Sequence, residues 1–184
     1  MQNSDKKILY LGPEGSYTEL ATRAAIQLLN LTDYKPERKR CIKNIIDEID
    51  NNRDYIAVVP VENSIEGVVR ETVDNIIRTT NPVTVFQEIV LPIKHCLITK
   101  ADSFSKIKTV TSHPQGLAQC QNFIYNTLRD KGNRHIELVQ ATSTSEAVRS
   151  LVDSDESCAA ISSKYAAELY NIPVLQEEIN DEKD

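Results

Sequence analysis

The chain has 184 residues, 40% of them hydrophobic and 26% charged, which is the profile of an ordinary soluble globule. At this length about 70% of the unfolded surface can be buried, so one domain or two small lobes can form without covalent staples. A net charge of -6, with no Lys/Arg run, excludes nucleic acid as a default partner, and no apolar run is long enough to span a bilayer.

In chain order, residues 7–11 read as a strand and the turn Gly12-Pro13-Glu14-Gly15-Ser16 leads into a helix over 17–29. A second helix over 42–49 is marked by apolar residues at 42, 45, 46 and 49. Residues 55–61, Tyr-Ile-Ala-Val-Val-Pro-Val, have the continuous β-branched character of a strand buried on both faces, and a helix is expected over 68–78. A long β-type stretch over 83–99 is interrupted by Pro92. Strands follow at 106–111, 135–140, 158–161 and 174–179, with helices at 114–130, 145–152 and 164–170. This alternation implies an α/β fold with mostly parallel strands.

Cys41, Cys96, Cys120 and Cys158 lie far apart, with no CxxC pair and no His at ligand spacing, so buried reduced thiols and no metal are expected. The first residues, MQNSDKKILYLG, lack the apolar core and small-residue cleavage site of a secretory leader, and a cytoplasmic location is expected.

Four of the five glycines, Gly12, Gly15, Gly67 and Gly116, fall in or beside polar strand-to-helix turns, while Gly132 falls in a plain loop. The turns also share hydroxyl or amide side chains. Ser16 and Thr18 occupy the first, Asn63 and Ser64 the second, and Ser112-His113-Pro114-Gln115 the third. Thr142-Ser143-Thr144-Ser145 and Ser162-Ser163 occupy the fourth and fifth. Taken singly, each reads first as a helix N-cap. Five in register, at the carboxyl edge of a parallel sheet, point to an anion or hydroxyl site that needs no lysine. Two carboxylates sit awkwardly there. Glu62 is compatible with such a site only if protonated, turned away or orienting Asn63, and Glu66 reads as a first-turn carboxylate on a helix dipole.

The segments GPEGSYTE at 12–19, VPVENSIEGVV at 59–69, SHPQGLAQC at 112–120, TSTSEA at 142–147 and AAISSKYAA at 159–167 resemble, in order and spacing, the prephenate dehydratase catalytic domain. The resemblance covers nearly the whole chain. It implies a two-lobed periplasmic-binding-protein-like (type II) α/β fold with prephenate held between the lobes. On the sequence, lobe one covers about 1–84 plus 176–184 and lobe two about 85–175, with crossings at 83–99 and 174–179. Gly116 stands where the family often has alanine, a change expected to matter little. The family continues with an Asn-x-Thr-Arg-Phe block, whose threonine is its candidate catalytic group, and normally with a phenylalanine-binding ACT domain. The sequence here stops at Asp184, short of both, and reads as a catalytic-domain portion of a longer protein of low activity by itself.

The implied reaction turns prephenate into phenylpyruvate, carbon dioxide and water, and aromatisation drives it. It requires no cofactor and no metal. Neutral donors must hold a dianion and align the ring carboxylate and the departing hydroxyl. The residues expected to bind substrate are Glu62, Asn63, Ser64, Ser112, His113, Gln115, Ser143 and Thr144. Glu62 would position Asn63, and His113 reads equally as a general acid or as a residue stabilising the turn. The expected partners are prephenate and further copies of the chain, without nucleic acid or membrane. Arogenate dehydratase, and a non-catalytic small-anion sensor of the same fold, remain the alternatives.

Overall fold

The computed structural model describes residues 6–131 and 135–182, so Gly132 and Asp184 lie outside the described residues. The chain divides into two compact units, Met1–Leu91 and Pro92–Asp184.

In the first unit, β1 (Lys7–Leu11) is the centre of a three-stranded parallel sheet, with β2 (Lys35–Lys39) on one side and β3 (Ile56–Val58) on the other. Its apolar Ile8, Leu9 and Tyr10 are buried. Helix α1 (Tyr17–Leu28) follows the first turn, and α2 (Ile42–Asn51) buries Ile42, Ile45 and Ile46, the i, i+3, i+4 face visible in the sequence. Strand β2 was not expected. Its sequence, Lys-Pro-Glu-Arg-Lys, tolerates a proline and alternating charge because it lies at the sheet edge.

Beyond β3 the chain forms a small antiparallel hairpin, β4 (Glu62–Asn63) with β5 (Gly67–Val68), before α3 (Arg70–Ile77). The helix expected from residue 68 therefore starts two residues later. Thr72 Oγ1 donates to the Pro60 carbonyl at 2.6 Å and ties α3 to the exit of β3.

The second unit holds a five-stranded mixed sheet built from β6 (Cys96–Thr99), β7 (Thr109–Ser112), β8 (Glu137–Gln140), β9 (Cys158–Ser162) and β10 (Val174–Gln176), in the order β10-β6-β9-β7-β8. β7 runs parallel to both β8 and β9, whereas β6 is antiparallel to β9 and β10 to β6. Successive residues of β9 face opposite layers. Ala159 and Ile161 pack with Leu97, Val110, Ile124 and Leu128, while Ala160 packs with Ile98, Ala147, Val148 and Ala166.

The helix expected over 114–130 is broken. Helix α4 (Pro114–Ala118) ends early, a π-helical turn spans Phe123–Leu128, and α5 (Arg129–Lys131) continues from it. Helices α6 (Thr144–Ser150) and α7 (Lys164–Tyr170) lie close to expectation.

Two further departures concern the lobe boundaries. Residues 83–95 form no strand, and only Cys96–Thr99 of that β-type stretch pairs. The last strand ends at Gln176, and Glu178 is left-handed at φ 52. Ile179 is then buried and its N–H donates to the His95 carbonyl at 3.0 Å. The side chain of Asn180 accepts from His95 N at 2.6 Å and donates to the Ile93 carbonyl at 2.9 Å. The two compact units divide after Leu91, and 176–182 falls within the second. Among the described residues no helix is long and apolar enough to cross a membrane.

Candidate functional site

Because β7, β8 and β9 are parallel, their carboxyl ends emerge on one edge of the second unit's sheet. Ser112 ends β7, Ala141 to Thr144 follow β8, and Ser163 follows β9. Three contacts fasten these turns together. The Ser112 hydroxyl donates to the Ile161 carbonyl at 2.7 Å, and Ala141 N–H donates to the Ser112 carbonyl at 2.8 Å. The third is the close approach of Gly116, where a Cβ would stand 2.6 Å from Ser112 Oγ and 3.1 Å from Thr144 Cγ2. Glycine here lets α4 sit against both neighbouring turns. The expectation that Gly116 and alanine are interchangeable is therefore corrected: Ser112 Oγ occupies the space an alanine methyl would need.

The polar residues on this edge divide by what their atoms already do. Ser143 caps α6, its Oγ accepting from Glu146 N at 3.0 Å, and Ser163 caps α7 by accepting from Ala166 N at 3.1 Å. His113 caps α4, with Nδ1 accepting from Gln115 N at 3.3 Å and Pro114 in the first turn. The capping contact uses Nδ1 alone, and an accepting Nδ1 leaves the neutral ring its proton on Nε2. Gln115, Ser143 and Thr144 are half-buried. Ser112 is fully buried with its proton committed to Ile161, which makes it a brace between turns rather than a donor to an anion.

In the first unit the Glu62-Asn63-Ser64 segment stands at a hairpin, not over a helix start. Asn63 Oδ1 accepts from Ile65 N at 2.9 Å and Glu66 N at 3.2 Å, an Asx turn that fixes the hairpin loop. Gly67, at φ 80, supplies the left-handed residue this turn requires. The acceptor of Asn63 is thus committed while its Nδ2 donor is not. Ser64 and Glu62 are exposed, and no described hydrogen bond links the Glu62 carboxylate to Asn63. Glu66 lies in the hairpin loop, so its expected helix-dipole role passes to Glu71, in the first turn of α3.

Sequence reasoning passed over Glu19. Ser16 Oγ accepts from Glu19 N at 3.2 Å, and the buried Glu19 carboxylate accepts from Gly15 N at 2.8 Å and from Arg23 at 3.0 Å. This is a variant of the capping box, visible in the sequence as Ser16-x-x-Glu19. It fills the start of α1 with the protein's own carboxylate, so the expected five-turn anion cradle loses its first member. Burial pushes the Cys120 thiol up to about 12 and raises Cys96 as well, which removes both as nucleophiles. Among the described residues no group of His, Cys, Asp and Glu is arranged to hold a metal ion.

Residues 8–184 match the family model for prephenate dehydratase. The chain belongs to the prephenate dehydratase family. It is 39% identical over 180 residues to the prephenate dehydratase of Methanocaldococcus jannaschii, an alignment covering 97% of this chain and 61% of that protein. The solved structure of the prephenate dehydratase from Staphylococcus aureus superposes with a TM-score of 0.78 at 26% identity, covering 97% of this chain and 62% of that one. That of Arthrobacter aurescens, solved in complex with L-Phe, gives 0.78 at 27% identity and covers 97% and 57%. The chain therefore spans about three fifths of the length of these prephenate dehydratases, and shares their α/β fold over that span.

Proposed function

We propose that this chain supplies the prephenate-binding part of a prephenate dehydratase, which carries out the decarboxylating dehydration of prephenate to phenylpyruvate in phenylalanine biosynthesis. The observation that carries the reading is the second unit's sheet edge, where Gln115, Ser143 and Thr144 offer neutral donors braced by the contacts among Ser112, Gly116 and Ile161. The substrate is a dianion that must shed carbon dioxide from its ring carboxylate. A fixed cation on that group would stabilise the charge that has to leave, whereas amide and hydroxyl donors orient it without that penalty. In this reading Gln115 and the Ser143 and Thr144 hydroxyls orient carboxylates. In the first unit, the Asn63 Nδ2 and the Ser64 hydroxyl are the donors of the expected substrate-binding residues.

The electron pair of the breaking C–CO2 bond moves into the ring as the C4–O bond breaks, so the ring becomes aromatic and the hydroxyl leaves as water once protonated. That proton is assigned to the threonine of the Asn-x-Thr-Arg-Phe block that the family carries after this span. His113 holds its turn. A homo-oligomer and a cytoplasmic location belong to the same reading, to be tested by light scattering and cell fractionation.

The deciding experiment adds prephenate to the 184-residue chain and to a version extended through the Asn-x-Thr-Arg-Phe block, and follows phenylpyruvate. The extended version is expected to turn over and the shorter one to be severely reduced at similar thermal stability. Equal kcat/KM would place the proton donor among the residues named here. Absence of turnover in both, with ligand binding retained, would favour the sensor alternative, and product from arogenate alone would reassign the substrate.

A further inference from the structure

We propose that His95 is a positioning residue: acting through Gln119, it fixes the place of Gln115 at the candidate site. This deepens the proposed function and rests on its assignment of Gln115 as a residue that orients a substrate carboxylate.

Helix α4 carries Gln115 but cannot hold itself in place. It has five residues, and helices shorter than about 12 residues are marginal on their own. Its first turn is set by the close approach of Gly116 to Ser112 and Thr144. Its other end is set by Gln119, which makes three bonds. Gln119 N–H donates to the Gln115 carbonyl at 2.9 Å, and the Gln119 carbonyl accepts from Asp181 N at 2.8 Å. Its Oε1 lies 2.8 Å from His95 Nε2. Because an amide oxygen only accepts, the His95 ring carries a proton on Nε2 and donates it. The path from His95 through Gln119 to Gln115 is thus two direct hydrogen bonds.

His95 is a firm anchor for that path. It is 2% exposed, its N–H donates to Asn180 Oδ1 at 2.6 Å, and its carbonyl accepts from Ile179 N at 3.0 Å. Asn180 Nδ2 in turn donates to the Ile93 carbonyl at 2.9 Å, so 93–95 and 179–181 are fastened to each other before either meets α4.

The same contacts account for the break in the helix expected over 114–130. In a continuous α-helix Asn122 N–H would donate to the Ala118 carbonyl, and Phe123 N–H to the Gln119 carbonyl. Asp181 takes one partner from each of these pairs. Its carboxylate accepts from Asn122 N at 3.0 and 3.1 Å, while its own N–H donates to the Gln119 carbonyl. An insertion into the i→i−4 ladder ends a helix at that point. What the break supplies is an anchored end for α4, four residues from Gln115.

A double-mutant cycle on the longer protein, with prephenate as substrate, tests this. His95→Leu removes the Nε2 donor, whereas His95→Gln keeps an N–H at similar reach. In His95→Leu kcat/KM is expected to fall about tenfold or more, and in His95→Gln to stay within about threefold of wild type. Gln115→Ala should also lose about tenfold or more. Adding His95→Leu to it should cost less than about threefold further, because the group being positioned is already gone. Hydrogen exchange at the Leu117 and Gln119 amides should quicken in His95→Leu. Asp181→Ala, at a half-buried position, carries the same cycle should His95→Leu fail to fold. Losses that multiply independently, a silent Gln115→Ala, or a His95→Gln protein as impaired as His95→Leu overturns the positioning role and leaves the substrate reading standing. Absence of prephenate turnover by the wild-type longer protein overturns the substrate reading itself, and the positioning role with it.

Discussion

Replacing Gly116 by alanine tests the brace at the candidate site quantitatively. The new Cβ would lie 2.6 Å from Ser112 Oγ, closer than real Cβ contacts come, and 3.1 Å from Thr144 Cγ2. Ser112 is buried, so its hydroxyl can give way only by rotating off the Ile161 carbonyl it now meets at 2.7 Å. A buried donor and acceptor left unpaired cost about 1–3 kcal/mol. Alanine returns up to about 1 kcal/mol through its higher helix propensity in α4. The expected net destabilisation is about 0–3 kcal/mol, or roughly 0–12 °C in thermal midpoint for a chain of this size. The decisive measurement is a double-mutant cycle with Ser112→Ala. Without Oγ the nearest Ser112 atom to the new methyl is Cβ at 3.6 Å, an ordinary contact. Only the 3.1 Å approach to Thr144 Cγ2 then remains tight, so Gly116→Ala should cost less in the Ser112→Ala background, with a coupling of about 1 kcal/mol or more. Additive effects, or a Gly116→Ala protein that melts higher than wild type, would refute the proposed brace.

Three other outcomes are expected. Asn63→Asp keeps the acceptor used by Ile65 N and Glu66 N but loses the Nδ2 donor, so in the longer protein kcat/KM should fall about ten- to a hundredfold with little change in thermal midpoint; wild-type turnover would remove Asn63 from the site. Burial lowers the pKa of His95 below its usual value, so the unfolded chain takes up a proton that the folded one resists, and this contribution to stability is present above about pH 6.5 and is lost as pH falls through the folded pKa. Urea midpoints across that window should slope less steeply in His95→Gln, and identical slopes would count against the assignment. Chelator treatment of the longer protein should leave turnover intact, and loss of activity restored by one added metal would sink the metal-free mechanism.

What could be read beforehand follows the range of the forces involved. Strand β1 and helix α7 were legible because their burial pattern and caps lie within a few residues, as with Ser163 ahead of Lys164–Tyr170. Strand β2 was not, since five residues bearing four charges become a strand only through pairing with β1 and the ion pairs of Lys39 with Glu37 and Glu48. The hairpin at Asn63 was mistaken for a helix start for a definite reason. An N-cap and an Asx turn use the same local bond, a side-chain oxygen accepting from a backbone N–H two or three residues on, so the residue types match in both. The contacts of Ser112 with Ile161 and of Gly116 with Thr144 cross long sequence separations, and no local pattern encodes them.

The same bookkeeping of donors and acceptors separates the candidate residues by chemistry. Capping and substrate binding look like competing explanations of a polar turn, but they draw on different atoms. Ser143 spends an oxygen lone pair on Glu146 N and keeps its O–H, and Asn63 spends Oδ1 on the hairpin and keeps its Nδ2 hydrogens. In each case the local bond restricts rotation of the side chain, so the remaining donor is held in place before any ligand arrives. An anionic substrate requires donors, and these residues retain them. Ser112 does the reverse: its proton goes to Ile161, and what remains is a buried acceptor that a carboxylate would avoid. The turn residues most credible as ligands for a dianion are therefore those whose acceptors the fold has already consumed.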